Sequence, residues 1–186
     1  MAKIIGFFQS RAVRDRRFEE IVRPHLGSMY RVAYRWVQNR ETAEDLVQEA
    51  LVKVINRVDE MTQLEKPGPW LIKILYRCFV DFHRKHARTP AQHFDDWRGD
   101  FAVFDEALHL EGETSNNIKR LELQRDLLKG LETLNDDQRE VVLLHDSEGY
   151  SATEVASILG ISDGTVKSRL HRARTQLKKV LDQGPF

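Results

Sequence analysis

One cysteine, Cys78, is present in 186 residues. An intramolecular disulfide is therefore excluded, nothing in the chain calls for an oxidising compartment, and the expected role of the thiol is a buried structural one. Long apolar runs are also missing. The N-terminal MAKIIGFFQSRAVRDRR holds an apolar stretch too short for the core of a signal peptide, and basic residues rather than a small-residue cleavage site follow it. The expectation is a cytoplasmic protein with no direct membrane insertion. Alternation of the strand type and a glycine-rich phosphate loop are likewise lacking, which argues against an α/β receiver or nucleotide-binding domain.

Net charge is absent too, since 29 Lys plus Arg balance 29 Asp plus Glu. The balance hides a segregation along the chain. Residues 1–90 hold 17 basic against 11 acidic side chains, residues 91–140 hold 6 against 13, and residues 141–186 hold 6 against 5. A basic front suits a phosphate-bearing partner, whereas an acidic middle is repelled by one. Thr89–Asn117 has no sustained period, contains Pro90, Gly99 and Gly112, and sets seven carboxylates against one arginine. It reads as a linker. Phe94, Trp97, Phe101, Val103 and Phe104 make it more apolar than a passive tether requires.

Helical periodicity carries the rest. From Thr42, an expected N-cap, Ala43, Leu46, Val47, Ala50, Leu51, Val54, Ile55 and Val58 recur at three- and four-residue steps on one stripe. The preceding FEEIVRPHLGSMYRVAYRWV is a second amphipathic segment with Pro24 near its start, and a third is expected from about Trp70 to Ala87, after KPGP as a breaker. Past the linker, LELQRDLLKGLETL, DDQREVVLLHDSEG, TEVASILG and DGTVKSRLHRARTQLKKVL predict four further helices. The fold class is all-α, with two small helical domains, 1–90 and 118–186, joined by an acidic linker at 91–117.

The last two helices are separated by LGIS, a short glycine turn of the helix-turn-helix kind. In the final helix Val166, Leu170, Ala173 and Leu177 share an inward face. Lys167, Ser168, His171 and Arg172 then face outward near its N-terminal half, where a recognition helix enters the major groove. Lys and Arg pair with guanine O6 and N7, and Ser or neutral His donates or accepts. Thr165 at the helix start, with Arg169 and Arg174 on the flanks, is expected on phosphates.

SATEVASILGISDGTVKSRLHRAR, at 151–174, resembles region 4.2 of the extracytoplasmic function sigma factors, small two-domain members of the sigma-70 family. AEDLVQEALVKV, at 43–54, resembles their region 2.2, and PWLIKILYRCFVDFHRKHAR, at 69–88, their region 2.4. The resemblance runs from about Phe18 through nearly the whole chain. It implies that the first domain binds core RNA polymerase and the promoter −10 element and that the second reads the −35 element and meets the β flap. It places Asp45, Gln48 and Glu49 against the clamp helices of β′. It assigns −10 DNA to the segment carrying Lys73, Tyr76, Arg77, Arg84, Lys85 and Arg88, where cations would track single-stranded phosphate, with residues 61–69 as the rim of a base pocket. Trp70, spaced helically from Ile74, is expected in the core. The family usually has an asparagine where this chain has Arg77, so no −10 base preference carries over. The acidic linker, with Asp95, Asp96, Asp100, Asp105 and Glu106, would thread the polymerase cleft as a nucleic-acid mimic. Control by an anti-sigma factor is implied as well.

Enzyme chemistry would have to rest on His83 with His86, or on His145–Asp146, and neither pair has a third ligand at a convincing spacing. No catalysis, metal or cofactor is expected. The stronger rival is a regulator whose helix-turn-helix grips an operator without polymerase, because response-regulator output domains share the GIS-x-x-TVK pattern.

Overall fold

The computed structural model describes residues 15–86, 127 and 129–182. Arg88 and the stretch 89–117 lie outside the described residues, and so does most of LELQRDLLKG. The described residues are helical with no strand among them. They fall into two compact units that part between Asp96 and Trp97.

In the first unit, residues 15–22 are helical. They pass through a single 3-10 turn at Arg23–His25, with Pro24 inside it, into α1 (Leu26–Val37). Gln38 ends α1 in the left-handed region at φ 50°, and α2 (Arg40–Ile55) begins two residues later. Its N-cap is Asn39, not Thr42: Asn39 Oδ1 accepts from the Thr42 backbone N–H at 2.9 Å and from its hydroxyl at 3.1 Å. Thr42 is thus the capped residue, one of the N–H groups that a helix start leaves without an internal partner.

A short α3 (Val58–Met61) leads to α4 (Pro67–His86). KPGP does not break that helix, which starts inside it. Prolines in a first turn lose no helical hydrogen bond, and their fixed φ already suits a helix. Met29, Val32, Ala33 and Trp36 of α1, Ala43, Leu46, Val47, Ala50 and Val54 of α2, and Leu71, Ile72, Leu75, Cys78 and Phe79 of α4 make the core. Trp36 stacks on Phe79 with ring centroids 5.0 Å apart and lies 5.5 Å from Tyr76, a favourable aromatic geometry. Trp70 departs from expectation. It is only half-buried at the start of α4, and the Arg57 guanidinium covers its ring at 5.0 Å.

The second unit comprises α5 (Asp136–Val142), a π-helical continuation at Leu143–Ser147, α6 (Ala152–Leu159) and α7 (Asp163–Asp182). Capping boxes at Asn135/Gln138 and Ser151/Glu154 fix the starts of α5 and α6. Val141, Leu144, Val155, Ile158, Val166, Leu170 and Ala173 form the centre of its core. Gly130 is buried where an added Cβ would meet Leu177 Cδ2 at 2.9 Å. The lack of a side chain there lets the helical residues 129–132 approach α7 closely.

Candidate nucleic-acid interface

The turn between α6 and α7 is set by backbone chemistry. Gly160 takes φ 70°, and its N–H donates to the Ala156 carbonyl at 2.9 Å, closing α6. Ser162 then caps α7: its Oγ accepts from the Thr165 N–H at 3.1 Å and lies 2.8 Å from the Thr165 hydroxyl. Thr153 Oγ1 donates to Asp163 Oδ2 at 2.8 Å, tying the first turn of α6 to that of α7. These contacts fix the angle between the two helices, which decides what α7 can present to a groove.

Val166, Leu170, Ala173 and Leu177 are buried, as the periodicity predicts. Lys167, His171 and Arg172 are exposed, while Ser168 and Thr165 are half-buried. The exposed cations line the side of α7 turned away from the core. Arg172 is not extended: its Nε and Nη2 donate to the carbonyl and hydroxyl of Ser168, each at 3.3 Å. The Ser168 hydroxyl donates in turn to the Thr165 carbonyl at 3.0 Å.

The flanking arginines are committed within their own unit. Arg169 Nη2 reaches Asp137 Oδ2 at 2.5 Å, joining α7 to α5. Arg174 grips Asp146 through Nη2 and Nε, at 2.5 and 3.1 Å, and Asp146 also lies 2.8 Å from His145 Nδ1. The π turn, which adds a residue to the helical ring, carries His145 and Asp146 to this contact. Burial alone would raise the Asp146 carboxyl, but hydrogen bonds from Arg174 and His145 hold it below the ordinary range. Glu140 moves the opposite way. Half-buried on α5, it is pushed up to about 7, by desolvation first and by the Asp137 and Asp136 charges, against a counter-pull from Arg169. Composition could not reveal these pairings, because the carboxylates lie 32 and 28 residues before the arginines they hold.

In the first unit, Lys73, Arg77 and Arg84 recur on α4 at helical spacing, opposite the buried Leu71, Leu75, Cys78 and Phe79. Arg77, Arg84 and Lys85 are exposed and Lys73 is half-buried. Tyr76 leans into the aromatic group with Trp36 and Phe79, so its ring is packed rather than extended toward solvent. Asp45, Gln48 and Glu49 are exposed on α2, away from its buried stripe. Glu49 pairs with Lys53 at 2.8 Å, and Lys53 Nζ also donates to Cys78 Sγ at 3.3 Å. Burial pushes the Cys78 thiol up, with Lys53 partly offsetting it, so the thiol is kept protonated and unreactive.

Among the described residues, no group of three or more His, Cys, Asp or Glu side chains could hold a metal ion, and no helix is long and apolar enough to cross a membrane. His83 packs edge-on against Phe79 at 4.5 Å. The side chain of its sequence partner His86 is outside the described set.

Two family models match the chain: Sigma-70 region 2 over residues 21–89 and Sigma-70, region 4 over residues 124–177. The RNA polymerase sigma-E factor of Streptomyces avermitilis is 32% identical over 167 residues, covering 89% of this chain and 85% of that protein. The extracytoplasmic function sigma factor SigE of Mycolicibacterium smegmatis is 33% identical over 167 residues, and the match spans 88% of this chain but 61% of SigE. Among solved structures, the sigma factor RpoE of Bartonella quintana, in complex with the anti-sigma factor NepR, matches with a TM-score of 0.63 and 29% identity over 89% of this chain and 96% of that one.

Proposed function

Since the chain belongs to the extracytoplasmic function group of the sigma-70 family, we propose that it is a promoter-specificity subunit that joins core RNA polymerase, reads −35 and −10 elements and starts transcription. The observation that carries this reading is the pairing, in one chain, of an acidic outward face on α2 with basic outward faces on α4 and α7. A polymerase subunit and a nucleic acid need opposite signs of charge, and the two signs stand on separate helices.

On α7, Lys167, Ser168, His171 and Arg172 meet base edges of the −35 element, and Thr165 at the helix start meets phosphate. Arg169 and Arg174 brace the helix against α5 and the π turn, presenting phosphate contacts only from already paired guanidiniums. On α4, Lys73, Arg77, Arg84 and Lys85, with Arg88 beyond the described residues, follow the single strand of the −10 region. Trp70 and the covering Arg57 border the expected base pocket at residues 61–69. Asp45, Gln48 and Glu49 engage the clamp helices of β′, and the second unit meets the β flap. The domain limits 1–90, 91–117 and 118–186 belong to the same reading, as do cytoplasmic action, the absence of catalysis of its own, and the linker carboxylates as a nucleic-acid mimic. The complex of RpoE with NepR supports control of this chain by an anti-sigma factor.

The chemistry is positional. Lys167 and Arg172 fix register through bidentate or point-charge donation, the α4 stripe holds an opened strand by charge, and every step draws on binding energy rather than bond making. Arg172→Ala tests it in reconstituted holoenzyme. Affinity for the preferred promoter should fall about tenfold or more and discrimination at one base position of the −35 element should be lost, whereas Lys85→Ala should weaken all promoters alike and flatten the salt dependence by about one charge. An unchanged base preference throughout the −35 element after Arg172→Ala removes the assignment.

A further inference from the structure

Asp45, Gln48, Glu49 and Val52 occupy positions i, i+3, i+4 and i+7 of α2 and so share one face. Ala43, Leu46, Val47, Ala50 and Val54 form the opposite, buried face. Val52 completes the outward set, and at 66% it is the most exposed large apolar side chain among the described residues; Leu26, Leu64, Leu127 and Leu181 lie between 37% and 40%. A β-branched residue in an exposed helix interior lowers helix propensity and hides no surface from water in the free protein. Neither the packing nor the fold of this unit requires it.

We propose that Val52 is the apolar anchor of the polymerase-binding face, the point that is driest once the partner is seated. The inference rests on the reading that α2 meets core polymerase, and it adds the partner's chemistry: a helical surface with one apolar side chain directly opposite Val52 and cationic side chains around it. Asp45 and Glu49 supply the negative charge that meets those cations, and Gln48 supplies an amide. Lys53, one residue on, does not intrude, because it is tied back to Glu49 at 2.8 Å and to Cys78 at 3.3 Å. An anchor flanked by polar groups that exclude water is how a small number of residues carries most of an interface.

Affinity for purified core polymerase and thermal stability of the free full-length chain are measured on the same variants. Val52→Ala should weaken core binding about five- to tenfold, while the melting temperature stays level or rises, because alanine is the better helix former. Val52→Leu should bind within about twofold of wild type, as a larger apolar group still fills the contact. Val52→Lys should lose more than about thirtyfold, through repulsion from the cationic ring. Unchanged core binding by Val52→Ala, with Asp45→Ala and Glu49→Ala both weakened, overturns the anchor and leaves the α2 reading standing. Unchanged binding by all of them overturns the α2 reading itself. A self-associating chain whose dimer is lost in Val52→Ala, with polymerase affinity intact, would assign the residue to a second copy and also overturn the anchor.

Discussion

Replacing Glu140 with glutamine isolates a cost that the second unit carries at neutral pH. The Glu140 carboxyl is half-buried on α5, in the field of Asp136 and Asp137, with Arg169 as its only counter-charge among the causes of its shift. Its pKa is raised from 4.5 to about 7. At ~1.4 kcal/mol per unit, that difference sets a ceiling of ~3.5 kcal/mol on the penalty for ionising the folded state, and solvent reaching a half-buried group trims it to about 1–2 kcal/mol. The sign follows from linkage. Below pH 4.5 both folded and unfolded chains hold the proton and no penalty exists. Between 4.5 and about 7 the unfolded chain gives up the proton first, so folded stability falls as pH rises, and above 7 the full penalty is in place. The amide of the Glu140→Gln variant has no proton to lose over this range. Urea titrations of the full-length chain, followed by the amide signals of Val166 and Leu170 in α7, should show equal midpoints for wild type and Glu140→Gln near pH 4.5. At pH 8 the variant midpoint should be higher by about 1 M. Parallel pH profiles for the two proteins, or a lower midpoint for the variant at pH 8, would mean that ionised Glu140 carries no such cost.

Other substitutions test the capping and ion-pair assignments. Asn39→Ala removes the acceptor for the Thr42 N–H and should cost about 1 kcal/mol in thermal or chemical unfolding of the first unit, whereas Thr42→Ala should cost less. Asp146→Asn releases the grip on Arg174 and should lower stability at pH 7 by about 0.5–1 kcal/mol. The Asp146 carboxyl is held below its usual 3.8, so its contribution is complete above that pH and is lost as pH falls through the folded value. Wild type and variant should therefore converge in acid melts. The freed Arg174 should also steepen the salt dependence of promoter binding by up to about one charge.

Much of this was legible because helices write their buried faces into a period. The α2 stripe and the inward set Val166, Leu170, Ala173 and Leu177 can be read without coordinates, since three- and four-residue steps leave one geometry open to them. Local signals are harder wherever two candidates compete. Asn39 and Thr42 are both capping residue types three positions apart, and only the extended backbone of Asn39 decides which one caps. KPGP misleads because proline ends a helix from within but opens one from its first turn, so composition alone cannot tell the two positions apart. The two arginines on the flanks of α7 show where one-dimensional reading stops. Their charge points to phosphate, but Asp137 and Asp146 are brought to them by the packing of α5 and the π turn. A salt bridge spanning about thirty residues has no periodic signature. Trp70 is a similar case, because its spacing fits the core while the Arg57 side chain offers its ring a different partner.

Promoter specificity is decided by run-off transcription on sheared genomic DNA, with purified bacterial core polymerase and with or without the full-length chain, followed by sequencing of transcript starts. A promoter-specificity subunit yields new starts that share spaced −35 and −10 elements, lost together when Lys167 and Arg172 are both replaced by alanine. No new starts, with tight duplex binding by the chain alone, would contradict it and identify an operator-binding regulator instead.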